Sequence, residues 1–227
     1  MEGYSDILRK KADPIWRQIF IHPFFVEMCK GQLPLEKFCY YLKQDYSFLI
    51  EYARCLGIAS SKAEGIDRMR DFASLLNASL TTELEILMRL GDKLEVPSDE
   101  LRSAIPSPTN YAYTRHLLFI AYSGTLGELM AAMLPCMWSY QEIGEKLTIQ
   151  PEIRNHSIYA EWCATYVSTE YVELVNWYKR LVDDYGIRSS PSVKEKMDSN
   201  FVVSSKFEYL FWTMAYHEEG WPFGDQI

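Results

Sequence analysis

The stretch AAMLPCMWSYQEIGEKL, residues 131–147, has the pattern of a buried helix with a proline at its centre. Apolar residues recur every three or four positions, as they do along the buried stripe of a helix. Pro135 removes a backbone N–H and leaves the carbonyl of Ala131 without its usual donor. Either neighbouring helices compensate for this break, or the break presents Cys136 and Tyr140, one turn apart on the same face, to a pocket.

The same periodicity extends along nearly the whole chain in both directions. Glycines and prolines divide it into helical segments at about residues 7–20, 35–56, 69–94, 99–105, 111–147, 158–185 and 192–216. The alternation typical of a β-strand is not found in the sequence. We therefore predict an all-α bundle of about seven to eight helices, with residues 1–227 forming a single domain.

Composition excludes several classes of protein. The formal net charge of −8 argues against a nucleic-acid surface, because phosphate binding requires a basic patch. The longest apolar run, about residues 126–138, is shorter than the ~20 residues that span a membrane. From the acidic, polar start we expect no signal peptide, and the five cysteines form no CxxC motif. We expect a cytoplasmic protein with reduced thiols and with neither nucleic-acid nor membrane partners.

Polar residues within the apolar stripes are the candidates for function. Asp45 lies three residues after one leucine and four before another, so its carboxyl group is expected to point inward. Glu208 occupies an equivalent position in the last segment, and Tyr166 falls in the buried stripe of its own segment. Cys136 and Tyr140 share one face of the proline-containing helix.

Each of these residues, taken alone, has an ordinary structural explanation. A buried carboxylate can pair with a lysine or cap a helix, a lone cysteine is usually a small hydrophobic residue, and a buried tyrosine usually has a satisfied hydroxyl. Two inward acids on different segments, a thiol beside a proline and several tyrosines together favour a pocket in the bundle core.

Metal sites can be tested from residue spacing. A di-iron bundle requires a glutamate three residues before a histidine on the same helix face. The residues three before the four histidines are Ile19, Tyr113, Ile153 and Met214, and HExxH is absent. We therefore predict no metal site and no cofactor, with His22 in a turn and His217 near the exposed end of the last helix.

Three stretches resemble one known family: HPFFVEMCKGQLPLEKFCYYLKQDY, AYSGTLGELMAAMLPCMWSYQEIG and SSKFEYLFWTMAYHEEGWP. They are similar to the TenA proteins, also called thiaminase II or aminopyrimidine aminohydrolases, and the likeness covers nearly the whole chain. The LPC-x-W-x-Y-x-E-I-G element is the most specific part. The resemblance implies a haem-oxygenase-like all-α fold, a homotetramer, and a small aminopyrimidine substrate in thiamin salvage.

The resemblance also implies roles for seven residues, carried over position by position. Cys136 matches the nucleophile, and Glu208 matches the acid that transfers ring and leaving-group protons. Asp45 matches the hydrogen-bond partner of the aminopyrimidine ring, and Phe48 matches an aromatic residue packed on that ring. Tyr113 and Tyr166 match tyrosines around the pocket, and Tyr140 is a further lining residue.

The implied reaction is hydrolysis of 4-amino-5-aminomethyl-2-methylpyrimidine, or of thiamin, to the hydroxymethylpyrimidine through addition of Cys136 to the ring. The sequence does not choose between these leaving groups or a formylated derivative. One alternative is a non-catalytic thiamin- or pyrimidine-binding regulator. Another is a different enzyme on the same fold, such as a quinone-synthase-like oxidase or a haem oxygenase. A haem would require a histidine ligand, for which His22 is the nearest candidate.

Overall fold

The computed structural model describes residues 2–224 of the chain. Over that range the chain is helical and contains no β-strand, which confirms the predicted all-α class. The α-helices of the described residues are α1 Tyr4–Phe20, α2 Pro23–Cys29, α3 Leu35–Lys62, α4 Ile66–Ala78, α5 Leu84–Lys93, α6 Ser98–Arg102, α7 Pro108–Ser123, α8 Leu126–Leu147, α9 Pro151–Asn155, α10 Ser157–Tyr166, α11 Thr169–Arg188 and α12 Pro191–His217. A π-helical turn, Ser79–Glu83, joins α4 to α5.

The described part of the chain has more helices than the seven to eight predicted from periodicity. Two short helices, α2 and α9, begin at Pro23 and Pro151, where the fixed φ of proline favours the first helical position. The segment predicted at 111–147 is two helices, because α7 ends at a C-cap formed by Gly124. Similarly, Ser168 caps α11 and separates it from α10.

One compact unit is formed by the chain up to Leu33 together with Gly127–Trp212. Trp16 of α1 is fully buried in its core. The indole of Trp16 stacks on Phe201, with ring centroids 6.3 Å apart, and meets Trp138 edge-on at 5.6 Å. This aromatic packing joins α1 to α8 and α12 within the unit.

The start of α1 is held closely against α11 in the same unit. A Cβ atom at Gly186 would lie 2.4 Å from the ring of Tyr4, so a larger residue could not replace this glycine without a shift of the ring. The backbone N–H of Ser5 donates to the carboxylate of Asp183 at 2.7 Å. Helix packing and this hydrogen bond together fix the N-terminal turn of α1.

A second compact unit is formed by Pro34–Leu126 and the residues from Thr213 onward. Its main element is α3, which packs against α4, α6 and α7. Phe38 of α3 and Phe72 of α4 are fully buried in the core of this unit. The unit therefore has an apolar core of its own, against which α7 packs.

Within residues 2–224, every helix is too short or too polar to cross a bilayer. The five cysteines form no disulfide in the described structure.

Candidate functional site

Helix α8 runs unbroken from Leu126 to Leu147, so Pro135 does not end it. Every residue of this helix from Leu126 to Pro135 is buried, and so is every residue from Met137 to Tyr140. Cys136 interrupts this run because its side chain is half-buried. Cys136 is therefore more exposed than its neighbours on α8.

Glu208 lies on α12 and is almost completely buried, with 1% of its surface exposed. The hydroxyl of Ser139, one turn after Cys136, lies 3.5 Å from the Glu208 carboxylate and 3.5 Å from the carbonyl oxygen of Cys136. Ser139 thus connects the turn that carries the thiol to the buried acid. Sequence reasoning missed Ser139, although a serine three residues after Cys136 in a buried stripe was a usable signal.

Aromatic rings surround this part of the first unit. Tyr140 contacts Tyr166 edge-on, with centroids 4.9 Å apart, and lies 5.2 Å from Trp212. Tyr166 also meets the ring of Trp162 at 5.0 Å. Since flat rings of this kind can bind an aromatic ligand by edge or face contacts, the cluster is suited to a heteroaromatic substrate.

Asp45 belongs to the second unit, on α3, and is half-buried. The Tyr41 hydroxyl donates to its Oδ2 at 3.2 Å. Burial of the carboxyl group raises the pKa of Asp45 to about 7; the hydrogen bond from Tyr41 opposes this shift, and the negative charge of Glu83 adds to it. A carboxyl group with this pKa can be present as acid or as carboxylate near neutral pH.

Glu83 ends the π-helical turn and was missed by sequence reasoning. Its Oε2 accepts a hydrogen bond from the Ser79 hydroxyl at 2.9 Å, and burial raises the pKa of its carboxyl group although this bond opposes the shift. Glu83 lies three residues after Leu80 and four before Leu87, which is the same signal that pointed to Asp45. π-Helical turns often occur at functional sites.

Phe48 and Tyr113 contact each other in the second unit. Phe48 lies one turn beyond Asp45 on α3, and Tyr113 lies near the start of α7. Their ring centroids are 5.1 Å apart at an interplanar angle of 39°, and both side chains are buried. The structure therefore brings Phe48 and Tyr113 together, and their packing on a substrate ring stays a prediction.

The seven predicted residues fall into two sets when each unit is considered by itself. Cys136, Glu208, Tyr140 and Tyr166 lie in the first unit, where Ser139 and Trp212 join them. Asp45, Phe48 and Tyr113 lie in the second unit. The action of both sets on one substrate stays a prediction.

His22 and His156 serve as helix caps. The Nδ1 atom of His22 accepts a hydrogen bond from the backbone N–H of Phe24 at 3.2 Å and caps α2. His156 caps α10 in the same manner. Among the described residues, no three His, Cys, Asp or Glu side chains are grouped so that they could hold a metal ion.

Comparison with known proteins identifies close relatives of this chain. An aminopyrimidine aminohydrolase from Halalkalibacterium halodurans is 38% identical over 221 residues, which are 97% of this chain and 99% of that protein. Among solved structures, a TenA homologue from P. horikoshii OT3 has a TM-score of 0.87 at 36% identity, with 95% of this chain and 99% of the other covered.

A more distant structure bears on the fold alone. A domain of unknown function with a heme oxygenase-like fold, from Shewanella denitrificans OS217, has a TM-score of 0.75 at 10% identity and covers 93% of this chain and 91% of its own. The predicted haem-oxygenase-like fold is thereby confirmed. Residues 9–218, which are most of the chain, match a single family model. The chain belongs to the TENA/THI-4/PQQC family.

Proposed function

We propose that this chain is an aminopyrimidine aminohydrolase of thiamin salvage that acts through Cys136. The relative from Halalkalibacterium halodurans, which has this name, supports the activity. The observation that carries the mechanism is the half-buried thiol of Cys136 within an otherwise buried run of α8, connected through Ser139 to buried Glu208. A small heteroaromatic ring is the class of substrate that the surrounding aromatic side chains fit.

The proposed reaction begins with a proton transfer from the carboxyl group of Glu208 to a ring nitrogen of the pyrimidine. The Cys136 thiolate then adds to the adjacent ring carbon, which breaks the aromaticity of the ring. The displaced electron pair expels the protonated amino group from the exocyclic methylene as ammonia. Water adds to the exposed methylene carbon and gives a proton to the carboxylate of Glu208. Departure of the thiolate restores the ring, and the ring nitrogen loses its proton to solvent to give the hydroxymethylpyrimidine.

The proposed role of Asp45 is to bind the amino group and neighbouring nitrogen of the ring. A neutral carboxyl group offers one O–H donor and one carbonyl acceptor, which match a ring nitrogen and the amino group of a neutral aminopyrimidine. A pKa of about 7 makes that neutral form available at physiological pH. Phe48 and Tyr113 would pack on the ring, and Tyr140 and Tyr166 would line the path of the leaving group.

We also propose that the protein is cytoplasmic and assembles as a homotetramer, as the family resemblance implies. An aromatic stripe on α7 supports self-association, because Phe119 and Tyr122 are 71% and 75% exposed and Tyr111 lies along the same helix. Light scattering coupled to size-exclusion chromatography tests the assembly. A Phe119→Lys variant is expected to lower the mass in solution if the stripe is the interface, whereas a wild-type monomer would contradict the proposal.

Product analysis by mass spectrometry tests the activity. The wild type, Cys136→Ala and Cys163→Ala are incubated separately with thiamin and with 4-amino-5-aminomethyl-2-methylpyrimidine. Release of the hydroxymethylpyrimidine by the wild type and Cys163→Ala, but not by Cys136→Ala, is the expected result. Cys163 is the matched control, because burial raises the pKa of its thiol to about 12. Binding of either compound by the wild type without turnover would contradict the hydrolase and favour a regulatory protein.

A further inference from the structure

Two buried amide side chains join α3 to α7 in the second unit. Gln44 is 4% exposed and Asn110 is fully buried. The Nδ2 group of Asn110 donates to the backbone oxygen of Gln44 at 2.8 Å and to its side-chain Oε1 at 3.0 Å. One amide group of α7 is therefore bound to both the main chain and the side chain of a single α3 residue. We call Gln44 and Asn110 the amide pair.

Gln44 also holds the loop that precedes α7. Its Nε2 donates to the carbonyl of Ile105 at 3.0 Å, and its Oε1 accepts from the backbone N–H of Ser107 at 2.9 Å. Ser107 in turn caps α7 by accepting from the backbone N–H of Asn110 at 3.2 Å. Since both ends of the Gln44 amide are used, the first turn of α7 has a defined position on α3.

The amide pair is adjacent to the residues proposed to bind the ring. Gln44 directly precedes Asp45 and lies one turn before Phe48 on α3. Asn110 lies one turn before Tyr113 on α7. A single helical turn is rigid, so the alignment of the two helices at the amide pair also sets the alignment of the rings one turn further along.

Hydrogen bonds of this kind specify one alignment, whereas apolar side chains would allow several. The pair is not an optimal arrangement for stability, because the Oδ1 atom of Asn110 is buried and accepts no hydrogen bond from any described residue. An apolar contact would avoid that cost. The unsatisfied oxygen therefore offsets part of the stability that the other hydrogen bonds of the pair provide, next to three residues with a proposed binding role.

We infer that Gln44 and Asn110 are positioning residues for aminopyrimidine binding. They fix the position at which Tyr113 meets Phe48 and Asp45 around the ring. The inference rests on the proposed function, and it adds residues that do not themselves touch the substrate.

Steady-state kinetics with 4-amino-5-aminomethyl-2-methylpyrimidine test the inference. Asn110→Leu removes both donors at similar volume, and we expect KM to rise about tenfold while kcat stays within about threefold of the wild type. This split is expected because Cys136 and Glu208 are not altered. Phe72→Leu, a core substitution in α4, is the matched control for lost stability and should leave KM unchanged at the same assay temperature.

Two further variants separate positioning from general destabilisation. Gln44→Glu keeps the acceptors for Ser107 and Asn110 but loses the donor to Ile105, so a smaller rise in KM than in Asn110→Leu is expected. This variant also tests the inference if Asn110→Leu does not fold. The double variant Gln44→Met with Asn110→Leu should raise KM by less than the two single effects combined, because both substitutions remove the hydrogen bond from Asn110 Nδ2 to Gln44 Oε1. Additive effects on KM would overturn the inference.

The remaining outcomes are also decisive. If KM rises no more in Asn110→Leu than in Phe72→Leu, the amide pair has only a structural role. If the wild type has no turnover, the proposed function fails, and calorimetric binding of the hydroxymethylpyrimidine replaces KM as the readout. Weaker binding by Asn110→Leu than by Phe72→Leu then supports the positioning role, whereas equal binding, or no binding by the wild type, overturns it.

Discussion

The carboxyl group of Asp45 loses much of its hydration on folding, and its other contacts do not compensate. Burial has the largest effect on its pKa, which rises to about 7. The hydrogen bond from Tyr41 favours the charged form but is outweighed, and the nearby carboxylate of Glu83 disfavours that form further. Asp45 therefore changes charge in the range in which an aminopyrimidine hydrolase would work.

This shift makes the stability of the protein dependent on pH. A carboxyl group whose pKa is raised in the folded protein contributes to stability at pH values below its pKa in the unfolded chain. This contribution to stability is lost as pH rises through about 7. The side chain of Asp45→Asn does not ionise, so this variant lacks that loss of stability. Between about pH 5 and about pH 8, its free energy of unfolding should therefore increase by ~2–3 kcal/mol relative to that of the wild type. Urea denaturation at both pH values measures it.

The exposed residue Asp67 of α4 provides the control for the Asp45 experiment. Asp67→Asn should follow the pH dependence of the wild type. If Asp45→Asn also follows it, the carboxyl group of Asp45 does not titrate as described.

The buried thiols differ from Cys136 in their surroundings. Burial raises the pKa of both Cys55 and Cys163 to about 12, with smaller contributions from Glu51 and Cys29 respectively. Because the thiolate is the reactive form, iodoacetamide at about pH 7.5 should leave these two thiols unmodified in the folded protein and should modify half-buried Cys136. Peptide mapping by mass spectrometry measures the labelling, and labelling of Cys163 at the rate of Cys136 would contradict the assignment.

Among the elements, the long helices could be predicted because each buries a continuous apolar stripe. The short helices α2 and α9, of seven and five residues, were missed because so few residues show little of a period, whereas α6, of five residues, was predicted within residues 99–105. The π-helical turn was missed for a different reason. It lies within a segment whose apolar pattern continues on both sides, so residues 69–94 had the pattern of one regular helix.

The candidate site was predictable only in part, for a similar reason. Asp45 and Glu208 were found because an acid in an apolar stripe is visible from spacing alone. The amide pair was not, because a polar residue on a helix does not reveal which distant residue it contacts. Gln44 and Asn110 lie 66 positions apart in sequence, and only the packing of α3 on α7 brings them together.

The start of α7 depends on a residue from the end of the chain. Both the backbone N–H and the hydroxyl of Thr109 donate to the carboxylate of Glu219, at 2.9 and 3.0 Å. A negative charge at a helix N-terminus is stabilising, so Glu219→Ala should lower the free energy of unfolding by ~1 kcal/mol. Urea denaturation tests this, with Glu195→Ala on the exposed face of α12 as the control. Equal stability of the two variants would show that the cap contributes nothing.

At the scale of the whole molecule, two helices have residues in both compact units. Nearly all of α8 belongs to the first unit, but Leu126 belongs to the second; α12 belongs to the first unit as far as Trp212 and to the second from Thr213. Because a helix unfolds cooperatively, we predict one thermal transition, in agreement with the predicted single domain. Scanning calorimetry should give equal calorimetric and van't Hoff enthalpies, and two resolved transitions would contradict the prediction.

The fold itself does not determine the chemistry. The haem-oxygenase-like architecture is shared with a domain of unknown function at 10% identity, so function must be argued from particular side chains. In this chain the side chains with a proposed role are Cys136 with Ser139 and Glu208 in one unit, and Asp45 with its aromatic neighbours in the other.

The most direct test of the account is the single-turnover rate of hydroxymethylpyrimidine release by Cys136→Ser, with enzyme in excess over 4-amino-5-aminomethyl-2-methylpyrimidine. Excess enzyme separates the chemical step from product release. If Cys136 is the nucleophile, the variant should release product ~10³-fold or more slowly than the wild type while binding the substrate equally well. A rate within about tenfold of the wild type would contradict the central claim, because hydrolysis would then proceed without addition of the thiol to the ring.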